Sequence, residues 1–194
     1  MHASLSTGLL GEAFPRSLHE QATEAAIYAS VQLQVDQWTE QFEVTLWDET
    51  IRIPARLRFR NNHADEAIDG ETRLMVRCLR SRSIDGFERQ HAVRDLLLDV
   101  QPWSAPFIIA LVGEYVIEIL DDIASAFSDS VPAAIVSFLS ENQAYWFLTK
   151  QRVSSYWDVY HRRSACRANY VGFQLTRQID QALALKRLCG PISS

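Results

Sequence analysis

Lysine is almost missing from this chain of 194 residues: two lysines stand against seventeen arginines. Arginine therefore appears wherever a base is wanted, and an arginine-rich stretch carries less functional meaning than it otherwise would. Cysteine is scarce too. Cys78, Cys166 and Cys189 form an odd set with no CxxC pair, which excludes a disulfide framework and zinc-site spacing and predicts a reducing, cytoplasmic setting. The seven glycines are scattered, so no glycine-rich phosphate loop exists and nucleotide hydrolysis is not expected. Among His2, His19, His63, His91 and His161 no two stand at ligand spacing, and HExxH is absent. No long apolar run is present either. The best membrane candidate, Ala105 to Leu120, is under 18 residues and carries Glu114 and Glu118, so it is expected to be a buried helix and no membrane association is predicted. Residues 1–16 show no basic stretch leading into an apolar core, and no secretory signal is expected.

What is present is an ordinary globular composition, 47% hydrophobic and 22% charged, enough to bury a core without staples. The net charge of −5 conceals alternating blocks. Residues 1–51 sum to −7, 52–94 to +4, 95–150 to −7 and 151–194 to +5. Such blocks compensate one another in a folded chain, or present a basic face to an acidic partner.

Ser17 with Glu20 reads as a capping box opening a helix, and Asp85 with Glu88 as a second. Phe42, Val44 and Leu46 alternate, as do Ile51, Ile53, Ala55, Leu57 and Phe59, with "WDET" between them. That pattern predicts an antiparallel β-hairpin, with Pro54 marking an edge or bulge. Residues 30–42 fit either a third strand of a meander or a continued helix. Asn61 to Gly70 is dense in turn formers and reads as a linker. From Glu71 onward the periodicity is helical, with breaks at "SDSVP" and at Gly190-Pro191. The expectation is α+β, predominantly α: a helix plus hairpin over 1–60, a linker over 61–70 and a helical domain over 71–194, forming one compact whole.

Residues 86–127 resemble one HEAT-type helical repeat, through Arg89, Ala92, Leu96, Pro106, Ile109, Leu111, Val116, Ile119 and Ala124. No second copy recurs at a fixed period, so the resemblance implies a HEAT-like helical hairpin inside a small domain rather than a solenoid. By family habit it implies protein binding rather than catalysis.

Three groupings hold the chemistry-bearing side chains. Glu114, Glu118, Asp121 and Asp122 share one side of a predicted helix and would suit a carboxylate-rich metal enzyme, but no Glu-x-x-His partner helix accompanies them. Arg73, Arg77 and Arg80 fall at i, i+4 and i+7, a stripe suited to phosphate or nucleic acid. "RVSSYWDVYHRR", residues 152–163, reads as a helix sending Val153, Trp157 and Tyr160 inward. Its Ser154, Asp158 and His161 imitate a triad without the sharp nucleophile turn or oxyanion hole that acyl chemistry needs. Arg152, Tyr156, Arg162 and Arg163 remain outside, and aromatic residues mixed with arginine are what protein interfaces enrich. The expected function is a non-enzymatic protein-binding module of adaptor, inhibitor or immunity type, without catalytic, cofactor or metal residues. A nucleic-acid or phosphate binder and a metal-dependent enzyme are the alternatives.

Overall fold

The computed structural model describes residues 7–35, 37–60, 68, 70–163 and 166–189. The architecture is α+β and predominantly helical, and the chain packs as two units, Met1–Ile108 and Ile109–Ser194.

In the first unit, α1 (Thr7–Gly11) leads through a 3-10 turn at Arg16–Leu18 into α2 (His19–Ser30), which buries Ala22, Ala25, Ala26 and Ala29. The 3-10 turn displaces the expected cap: Leu18 precedes α2 and Ser17 caps nothing. The hairpin forms as β1 (Gln41–Leu46) and β2 (Glu49–Pro54), with Val44 opposite Ile51 and Phe42 opposite Ile53 on its inner face. Its turn is only Trp47–Asp48; Glu49 and Thr50 already belong to β2. Pairing ends at Pro54, which has no amide hydrogen to continue a ladder. Beyond it, Leu57 and Phe59 stay buried through isolated bridges to Ser83 and Leu33. Residues 31–35 continue neither as helix nor as a third strand; Leu33 contributes a single bridge. Of the expected linker, residues 61–67 and 69 lie outside the described residues. The boundary between units falls inside a later helix rather than there, because α2 packs against α3 (Gly70–Arg80).

Arginine builds this unit from within. Arg77, Arg80, Arg82 and Arg89 are all buried. Arg77 pairs with Asp95 at 2.7 Å and Arg80 with Glu88 at 3.0 Å, both acids on α4 (Gly86–Leu98). Arg82 donates to the Pro54 and Ala55 carbonyls at 3.3 and 2.8 Å, fastening the end of β2 to the turn before α4. Arg89 donates to the Ser83 and Ile84 carbonyls at 2.9 and 3.0 Å. A planar fork with five donors can satisfy several carbonyls at once, which an ammonium cannot. The second capping box is half realised. Asp85 accepts from the Phe87 and Glu88 amides, but the Glu88 side chain turns to Arg80 and Ser83, and Ser83 Oγ accepts the Asp85 amide instead.

The apolar run from Ala105 to Leu120 is buried as expected through α5 (Ala105–Val112), yet it is not one helix. It breaks at residues 113–116, and α6 (Ile117–Ala126) follows. The span from 86 to 127 thus holds three helices, and the division between units lies within α5. In the second unit, α7 (Ala133–Glu141), α8 (Gln143–Tyr156), a π-helical segment (Trp157–His161) and α9 (Val171–Cys189) complete the chain. There α9 packs against α6, α7 and α8 and buries Leu175, Ile179 and Leu183. No helix among the described residues is long and apolar enough to cross a membrane.

Candidate functional site: a tyrosine cluster on the π segment

Helix α8 buries Tyr145, Trp146, Thr149 and Val153, a 1-3-4 spacing that fixes one inward face. Trp146 donates its indole N–H to Asp180 on α9 at 2.7 Å, which sets the roll of the helix. The opposite side carries Leu148, Gln151, Arg152, Ser155 and Tyr156, which line a shallow hollow of about 380 Å³.

After Tyr156 the helix widens into the π segment. Wider turns change the phase of the side chains, and such segments recur at functional sites. Continuing the α-helical phase from Val153 would send Trp157 and Tyr160 into the core. Instead only Val153 is fully buried; Trp157 is half-buried edge-on to Phe173 at 5.8 Å, and Tyr160 stands 57% exposed. The widened turn keeps Tyr156 and Tyr160 on one side, with ring centroids 6.0 Å apart. Val159 between them is exposed as well.

The third ring of the cluster comes from residues 113–116. Gly113 lies so close to α8 that a Cβ there would meet Thr149 Cγ2 at 3.3 Å and the Arg152 stem at 3.5 Å. Glycine lets that turn settle onto the helix. Glu114 is buried within it, and Tyr115 reaches out to meet Tyr156 and Tyr160 in tilted ring contacts, centroids 5.8 and 5.2 Å away. His161 Nε2 lies 3.1 Å from the Tyr115 carbonyl oxygen. On its other side His161 stacks on Tyr170 at 5.1 Å, and Tyr170 meets Phe173 edge-on at 5.7 Å. The result is a continuous run of rings from Tyr115 to Phe173.

No protein-family model matches the chain, and no curated protein or solved structure matches it. The functional reading therefore stands on the geometry.

Of the expected contact residues, Arg152 and Tyr156 line the hollow together. Arg162 is exposed and paired with Asp158 at 2.9 Å, one turn back; Arg163 is exposed beside it. The imitation triad is dismantled, since Asp158 is engaged by Arg162 and His161 faces the Tyr115 carbonyl. Tyr160, expected to face inward, is exposed instead, and Tyr115, Tyr170 and Phe173 are not among the residues expected to form the site. Tyr115 sat in an apolar run that reads as core, and the signal against that reading was Gly113 beside it.

The Arg73, Arg77, Arg80 stripe does not stand open. Arg77 and Arg80 point inward to Asp95, Glu88 and Gln32, and the Arg80 guanidinium lies 4.9 Å above the Phe59 ring. Only Arg73 keeps half its side chain in solvent, 3.8 Å from Asp95. The four acids do not share one helix: Glu114 is buried in the turn, whereas Glu118, Asp121 and Asp122 ride on α6. Among the described residues no group of three or more His, Cys, Asp and Glu is placed to hold a metal ion.

Proposed function

We propose that this chain is a non-enzymatic binding protein that receives a protein partner on the Tyr115, Tyr156, Tyr160 surface, with Arg152, Arg162 and Arg163 at its rim. The observation that carries the reading is the three-tyrosine cluster, whose rings pack on one another rather than into the core. Tyrosine brings a large rigid contact area at little cost in rotamer freedom, together with a hydroxyl for the partner. Residues 151–194 sum to +5, so the matching partner surface is acidic with an apolar centre. The HEAT-type resemblance of 86–127 supports binding over catalysis, and the isolated cysteines fit a cytoplasmic setting.

The test is site-specific photo-crosslinking in the source cells with p-benzoylphenylalanine at position 160 and, as control, at exposed Leu98 in the first unit. A defined adduct from position 160 alone is expected. With the adducted partner purified, Tyr160→Ala should weaken its binding by about tenfold or more without lowering the melting temperature. Equal affinity of Tyr160→Ala and wild type for that partner would remove the tyrosine surface from the interface.

A further inference from the structure

A second feature of the same unit lies on α9. Phe173, Thr176, Arg177, Asp180 and Ala184 follow one face of that helix, and with Arg167 they line a groove of about 740 Å³. The Arg167 guanidinium lies 4.7 Å above the Phe173 ring and 5.9 Å from that of Trp157. Two aromatic faces thus orient the cation without neutralising it. Arg177 stands one helical turn beyond Phe173 on the groove wall.

Neither arginine has a carboxylate partner among the described residues. The acid nearest them in the groove is already engaged: Asp180 accepts from Trp146 at 2.7 Å and from Lys150 at 3.0 and 3.1 Å. Among the described residues, two guanidiniums thus line one groove without an acid of their own, in a protein whose net charge is −5. The buried arginines differ: Arg77, Arg80, Arg82 and Arg89 are committed to acids or carbonyls. Apolar lining comes from the Phe173 ring, one turn before Arg177, with the methyls of Ala168 and, two turns beyond Arg177, Ala184.

We infer that this groove binds an oxyanion carried on an apolar stem, the head bridged by Arg167 and Arg177 and the stem laid along Phe173. Forked guanidiniums accept phosphate or carboxylate oxygens in pairs, and an aromatic floor removes the stem from water. A free inorganic anion gains only the first of these. The site does not rest on the tyrosine surface as a partner site, and either can fail alone.

The full chain is titrated at low salt with phenyl phosphate, phenylacetate, inorganic phosphate and benzyl alcohol, following backbone amide shifts by nuclear magnetic resonance. At least one stem-bearing anion should bind about tenfold more tightly than inorganic phosphate or benzyl alcohol, with shifts centred on residues 167–184. Whichever of phenyl phosphate and phenylacetate binds tighter assigns the head group. Arg167→Gln and Arg177→Gln should each weaken that ligand by about tenfold, and Arg187→Gln, toward the end of the same helix, should leave it unchanged. Arg177 lies on an exposed helical surface, so its variant reports even where Arg167→Gln disturbs the Trp157–Phe173 contact. Binding no tighter than inorganic phosphate, shifts centred elsewhere, or equal losses in the Arg187 variant would overturn the site.

Discussion

His161 joins two otherwise separate pieces of backbone: its Nε2 lies 3.1 Å from the Tyr115 carbonyl, and its ring stacks on Tyr170 at 5.1 Å. A carbonyl only accepts, so the Nε2 must carry the proton in this contact. His161→Phe keeps the ring and deletes the hydrogen bond, with an expected cost of about 1 kcal/mol in urea unfolding. His161→Ala removes both and should cost more, with loss of the ring-current shifts of Tyr115 and Tyr160. If His161→Phe matches wild type, the hydrogen bond contributes nothing to stability.

Tyr170 is buried with its hydroxyl unpaired among the described residues, and burial pushes its pKa up to about 12. The unfolded phenol loses its proton near its ordinary value of about 10. Its neutral form is thus favoured in the folded state, so stability is intact below pH about 10 and declines as the pH rises toward 12. Tyr170→Phe should flatten this alkaline decline. It should also raise stability at neutral pH by about 1 kcal/mol, because an unmet hydroxyl is removed at constant shape. Thermal unfolding between pH 7 and 11 reads both effects; an unchanged alkaline slope would assign the decline to other groups.

Arg89 is the most deeply enclosed of the buried arginines, holding the Ser83 and Ile84 carbonyls. Arg89→Ala should destabilise by about 3 kcal/mol or more, since it leaves a void and strips two carbonyls of a donor. Arg89→Lys keeps the charge but not the fork, and is expected to recover less than half of that loss by chemical denaturation. Full recovery would make charge, rather than geometry, the requirement at this position.

The hairpin turn holds Trp47 and Asp48 at φ 55° and 61°, the left-handed pairing of a two-residue turn that asparagine and glycine adopt more readily. Replacing the pair with Asn-Gly should stabilise the protein by about 1–2 kcal/mol, seen as a higher melting temperature. A lower one would show that the half-exposed Trp47 ring contributes more than its backbone strain costs.

The hairpin was legible because strict alternation is a period-2 signal that few other structures produce. The Asp85 cap was legible for the same local reason. The break at Gly113 was not: a run that is apolar throughout has no phase, so nothing in it marks where one helix ends. Arg73, Arg77 and Arg80 showed a correct helical face with the wrong side facing solvent, because the acids that draw them inward sit on another helix. The site was legible in part. Arg152 and Tyr156 lie together on the outer side of α8, but the π segment shifts the phase after Tyr156, and extrapolating the α-helical pattern put Tyr160 inside.

The ion pairs Arg77–Asp95 and Arg80–Glu88 also impose an order of events. Both acids follow α3 in the chain, so these two pairs form only after α4 has been made. Burying either arginine without its acid would cost part of the charge compensation that α4 supplies. Met75, Val76 and Leu79 lie on that same helix, so the burial of its apolar face is coupled to the arrival of Glu88 and Asp95.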